Sequence, residues 1–201
     1  MQKVLSIFDF DDTLIKSTAR VRVIHKDGSE EMLSSAEYAE YTPLPGDDFG
    51  FEEFDSYPPG AEPIDSTFGA LNNAISKHGA DNIVILTARS ADKPVRQYLS
   101  DQGIKGIDIQ AMGDAAPQAK AKYVMSRLKS GDYEMVHVYE DNANNIRAIK
   151  RVVDETGIKF QSTLVSESKT CLERLIHTLL REDKSESHKK KVARWSGCGR
   201  R

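Results

Sequence analysis

Residues 8–14 read Phe8-Asp9-Phe10-Asp11-Asp12-Thr13-Leu14, and they continue the apolar run Val4-Leu5-Ser6-Ile7-Phe8. That run has the length and the β-branched or aromatic character of a buried strand, so Asp9, Asp11 and Asp12 leave it at its C-terminal end. In open α/β sheets, ligands bind at that edge. Carboxylates so close together repel one another, and burying them uncompensated is costly. A divalent cation or a phosphate-handling role accounts for them. Standing alone, the same cluster reads as a solvated acidic turn.

Further along the chain, residues 82–86, 107–111, 135–139 and 160–165 read as strands. Helical stripes lie between them: Phe68, Leu71 and Ile75 before Gly79, then Val95, Tyr98 and Leu99 before Gly103. Tyr123, Val124 and Leu128 precede Gly131, and Ile146, Ile149 and Val153 precede Gly157. A last helix carries Leu172, Leu175, Ile176 and Leu179. Strand and helix in alternation predict right-handed βαβ units and a parallel sheet with helices on both faces.

Residues 16–64 interrupt this pattern as an insert. Residues 20–25 alternate polar with apolar, and Lys26-Asp27-Gly28-Ser29 offers a hairpin turn, which predicts a small flap. Ser34 followed by Glu37 forms a capping box for a short helix through Tyr41. Residues 42–63 combine Pro, Gly and acids with Phe49, Phe51, Phe54 and Tyr57, an ordered loop packed by its rings. The rings either anchor the insert to the sheet or form a lid over a substrate.

The chain has 201 residues, 39% of them apolar, and a net charge of −3. This fits one core domain over residues 1–181, with the insert at 16–64 and a basic tail over 182–201 that reads as disordered. No apolar stretch approaches the ~20 residues of a membrane span, and residues 1–20 lack a basic-then-apolar leader, which predicts no membrane association and a cytoplasmic location. Cys171 and Cys198 have neither zinc-site nor disulfide spacing and read as free thiols. Twelve acids and no Lys or Arg lie between Asp27 and Ser76, whereas residues 181–201 hold eight Lys or Arg against three acids. A polyanion would meet repulsion from the first and attraction from the second.

The other strand ends supply partners for the acids. The second predicted strand runs into Thr87-Ala88-Arg89, a hydroxyl and a guanidinium suited to phosphate oxygens. The fourth runs into Glu140-Asp141-Asn142, and acids leaving two strands at one edge can share a hard cation. Asn142 either orients a metal-bound water or caps the next helix. A positive group is also needed for phosphoryl chemistry. Lys120 shares a helix face with Tyr123, Val124 and Leu128 and is preferred over Lys122, which sits toward solvent.

Taken together, these residues resemble the four motifs of the haloacid dehalogenase (HAD) superfamily of aspartate-nucleophile phosphohydrolases. Asp9, Asp11 and Thr13 match the first motif, with Asp12 where glycine is frequent; Thr87, Lys120 and the Glu140–Asp141 pair match the other three. The resemblance implies a Rossmann-like sheet of order 5-4-1-2-3 with the insert as cap. It implies Mg2+ held by Asp9, the Asp11 carbonyl and Asp141, with Glu140 and Asn142 behind. Asp9 would be nucleophile, Asp11 acid and base, and Thr87, Arg89 and Lys120 phosphate ligands.

Arg89 and the Glu140–Asp141 pair are similar to the phosphatase half of polynucleotide kinase-phosphatases, which implies a nucleic-acid 3'-phosphate as substrate. A nucleotide or another small phosphomonoester is the alternative. Two rivals have other functions. A receiver domain would need a phospho-acceptor after a later strand, where only Asp114 is found. An inactive HAD fold that merely binds phosphate or nucleic acid has no need of the full acid set.

Overall fold

In the computed structural model, which describes residues 3–165, the opening run forms β1 (Val4–Phe8), buried along its whole length. Such a strand needs neighbours on both edges and cover on both faces. Along the chain follow β2 (Ile15–Lys16), β3 (Arg20–Ile24), β4 (Glu30–Ser34), α1 (Ser35–Glu40), β5 (Asp48–Gly50) and β6 (Glu62–Pro63). Then come α2 (Asp65–His78), β7 (Ile83–Thr87), α3 (Lys93–Asp101), β8 (Asp108–Ala111), α4 (Pro117–Lys129), β9 (Met135–Glu140), α5 (Ala143–Asp154) and β10 (Lys159–Leu164).

The main sheet is parallel in the order β10-β9-β1-β7-β8, which is the predicted 5-4-1-2-3. Alternation along the strands divides the core into two. Phe8, Ile83 and Ile85 pack with Phe68 and Leu71 of α2 and with Val95, Tyr98 and Leu99 of α3. Leu5, Ile7, Val84 and Leu86 pack with Val124 and Leu128 of α4 and with Ile149 and Val153 of α5. The chain is therefore an α/β layered fold with helices on both faces. Gly79 closes α2 at φ 79, a left-handed position that costs glycine nothing.

The insert leaves and re-enters through one neck, because β2 and β6 pair antiparallel, Ile15 with Pro63 and Lys16 with Glu62. Above it stands an antiparallel sheet β4-β3-β5. The predicted hairpin turn is present, with Gly28 at φ 82, and Ser34 and Glu37 cap α1 reciprocally as expected. β5, β2 and β6 were not expected; strands of two or three residues carry no readable period.

Among the described residues, no helix is long and apolar enough to cross a membrane. The predicted helix through Leu172–Leu179, the basic tail, Trp195, Cys171 and Cys198 lie outside the described residues.

Candidate active site

Strand register brings the separate motifs to one edge. Phe8 stands opposite Ile85 on one side and Tyr139 on the other, so Asp9, Thr87 and Glu140 emerge together. Asp9 continues the ladder by donating its N–H to the Tyr139 carbonyl at 3.0 Å. Phe10 then turns into the core, and the chain closes a tight loop in which the N–H groups of Leu14 and Ile15 both donate to the Phe10 carbonyl. Asp12 occupies that loop at φ 55, a left-handed conformation that aspartate tolerates better than most side chains. Its Oδ1 accepts the Ser17 N–H at 3.0 Å, which gives this acid a structural use.

Pro117 starts α4, and the helix turns Lys120 inward on the face of Val124 and Leu128. Lys120 Nζ donates to Asp9 Oδ1 at 2.6 Å and to Glu140 Oε2 at 2.8 Å, with the lysine 4% exposed. Lys122 is exposed. Glu140 Oε1 accepts from Asn145 Nδ2 at 3.0 Å, which fixes the plane of the carboxylate.

Carboxylate oxygens of Asp9, Glu140 and Asp141 all lie within 4.8 Å of one another. One ammonium cannot neutralise three acids. Burial, reinforced by Glu140 and Asp11, pushes the Asp9 carboxyl up to about 7 in spite of Lys120. Burial and the charges of Asp9 and Glu140 push Asp141 to about 9. Burial opposes the charge on Lys120, but Asp9 and Glu140 outweigh it and hold the ammonium above its ordinary range. An all-oxygen donor set with surplus negative charge fits a hard divalent cation.

Asp11 points elsewhere. Its Oδ2 accepts Arg89 Nε–H at 2.8 Å and its Oδ1 accepts Arg89 Nη2–H at 2.8 Å, while Ser17 Oγ donates to Oδ1 at 2.6 Å. Arg89 Nη1 donates to the carbonyls of Phe54 and Ser56 in the insert, at 2.7 and 3.1 Å. The guanidinium also lies 5.3 Å from the Phe10 ring and 5.4 Å from the Phe54 ring. Thr87 is 1% exposed and its Oγ1 accepts the Arg89 N–H at 3.2 Å, so its own proton remains free to donate.

These groups floor a cleft of about 470 Å3 whose wall includes Tyr38, Tyr41, Phe51 and Phe54 from the insert. The insert's rings therefore divide between the two expected roles. Tyr57 packs 5.8 Å from Tyr98 and anchors the insert to the core, whereas Phe51 and Phe54 face the cleft.

Asp9, Thr87, Lys120, Glu140 and Asp141 are thus brought together as the strand ends suggested. One expectation changes, and one open alternative is decided. Arg89, expected to grip a substrate phosphate, has its fork on Asp11. Of the two readings of Asn142, the helix cap is the one present: its Oδ1 accepts the Asn144 N–H at 2.8 Å at the start of α5, while its own N–H donates to Glu140 Oε1 at 3.3 Å. The side-chain amide on the acids is that of Asn145, 7% exposed. Asn145 is the third residue of α5, whereas Glu140 and Asp141 precede the helix, so no helical spacing in the sequence signalled the contact. Asn145 Oδ1 is buried with no hydrogen-bond partner.

No protein-family model matches the chain, and no curated protein is significantly similar to it. Among solved structures, that of the Legionella pneumophila effector Ceg4 with an N-terminal TEV protease cleavage sequence is similar, with a TM-score of 0.47 and 14% identity. The match covers 90% of this chain and 94% of that one. A likeness this loose carries no functional inference.

Proposed function

We propose that the chain is a Mg2+-dependent phosphomonoesterase of the HAD type that works through an aspartyl-phosphate on Asp9. The observation that carries this reading is the grouping of a buried Asp9 with Lys120 at 2.6 Å, two further acids within 4.8 Å and the Thr87 hydroxyl on one open cleft. Structural ion pairs are seldom built with more carboxylates than one lysine can balance, because the excess is costly without a counter-ion.

Asp9, Asp141 and the Asp11 carbonyl would hold Mg2+ with Glu140 beside it, and the ion when bound supplies the positive charge the acids lack. An Asp9 oxygen attacks phosphorus while the bond to the leaving oxygen breaks. The leaving oxygen keeps the electron pair of the broken bond and receives a proton from Asp11. A water then attacks the aspartyl-phosphate, gives its proton to Asp11 and releases phosphate, which restores both acids. Thr87 and Lys120 donate to the phosphoryl oxygens.

Within the cleft lining, the described cations are Arg89 and Lys120, each committed to carboxylates, whereas Asp55 and Asp114 add negative charge to the rim. This supports a small phosphomonoester over a nucleic-acid end, since a polyanion would be repelled. The test is phosphate release from p-nitrophenyl phosphate. Turnover in Mg2+, stopped by chelator and lost in Asp9→Asn, is expected. Absence of turnover on nucleotides, sugar phosphates, phosphopeptides and 3'-phosphorylated oligonucleotides alike would end the catalytic reading.

A further inference from the structure

Arg89 is buried at the edge of the cleft with its donors turned to the protein and not to the cleft. Four of its N–H bonds are taken: Nε and Nη2 by Asp11, and Nη1 by the carbonyls of Phe54 and Ser56. The guanidinium has five donors in one rigid plane, so these contacts leave little freedom to turn toward a phosphate. Only 3% of the residue is exposed.

The consequence falls on Asp11. A carboxylate presents about four lone-pair sites in its plane. Nη2 of Arg89 and Oγ of Ser17 occupy Oδ1, and Nε of Arg89 occupies one site of Oδ2. One site is left, and it is on Oδ2. A proton carried by Asp11 therefore has a single place to sit, and the plane of the acid is fixed by a group that is itself held by the insert.

We propose that Arg89 is a positioning residue that presents Oδ2 of Asp11 to the leaving oxygen, with the insert backbone at Phe54 and Ser56 setting the plane of the guanidinium. This rests on the phosphomonoesterase reading above. In the first half-reaction the leaving oxygen receives the bond's electron pair and the Oδ2 proton. In the second, the attacking water returns a proton to Oδ2, so the cycle closes without another acid.

Leaving groups separate this role from its competitors, because p-nitrophenolate departs without a proton and an alkoxide does not. kcat/KM is the quantity to follow, since it reports the steps up to departure. For Arg89→Gln, kcat/KM on an alkyl phosphate should fall by ~10²-fold or more, and on p-nitrophenyl phosphate by less than about tenfold. Asp11→Asn should show the same bias, and the double variant should lose no more than Asp11→Asn alone. Arg89→Lys keeps the charge without the fork and should show the bias in weaker form.

Circular dichroism identifies whether Arg89→Gln is folded; if it is not, Arg89→Lys decides the matter. Equal losses on both substrates would overturn the proposal. If they come with a raised KM, Arg89 is a phosphate ligand, and if with only a lowered Tm, it is structural. A wild-type protein without turnover on any phosphomonoester would overturn the phosphatase reading and this proposal with it, whereas an active wild type with unbiased variants overturns this proposal alone.

Discussion

Replacing Lys120 by Met keeps the buried stem and removes only the ammonium, which leaves Asp9, Glu140 and Asp141 without their cation. The lysine contacts lie at 2.6 and 2.8 Å between side chains that are 3–8% exposed, so the pair is largely withdrawn from solvent. Removing one partner of a buried pair costs ~3–5 kcal/mol. For a domain of this size that corresponds to a Tm lower by about 6–20 °C. The loss must also depend on pH.

In the folded state Asp9 titrates near 7 and Asp141 near 9, both raised above an unfolded value of 3.8. The folded protein therefore binds more protons than the unfolded chain in that window, and stability falls as pH rises through it. Without Lys120 both values rise further. The deficit of Lys120→Met should be greatest at pH 8 and smaller at pH 5, where Asp9 and Asp141 are protonated. Thermal unfolding in chelator at the two pH values measures this. Equal deficits, or none at pH 8, would refute the view that Lys120 neutralises a crowded acid site.

The same arrangement makes three further predictions. Mg2+ should raise the Tm of the wild type more at pH 8 than at pH 5, because protons and the cation compete for the same carboxylates, and Asp141→Asn should lose most of that gain. Calorimetric scans with and without Mg2+ supply both comparisons. Asn142→Ala should cost ~1 kcal/mol as a lost helix cap while leaving kcat within about threefold. Asn145→Leu, which removes the side-chain donor to Glu140 Oε1 and leaves it the longer Asn142 N–H contact, should lower kcat by more than tenfold with KM less affected, and steady-state kinetics on the two variants distinguish the cap from the acid's side-chain partner.

Much of this architecture could be read from the chain because its signals are local. β1 and β7 are largely apolar runs, and the acids and Thr87 stand at or just past the ends of their strands, so position in sequence translated into position on the sheet edge. Lys120 was legible through the face it shares with Val124 and Leu128. Arg89 was not, because its chemistry suits a carboxylate as well as a phosphate, and the choice was made by Asp11, 78 residues away in sequence. Asp12 was opaque for a different reason: only the turn geometry reveals that a left-handed residue was needed there. The insert's short strands depend on pairing across the neck and not on any pattern of their own.

The proposed reaction requires a covalent phosphoenzyme on Asp9. Acid quenching during turnover of p-nitrophenyl phosphate in Mg2+, followed by peptide mass spectrometry, tests it directly. One phosphoryl group on the peptide that contains Asp9, absent from Asp9→Asn, is the predicted result. A phosphoryl group on any other residue, or turnover undiminished in Asp9→Asn, would contradict it.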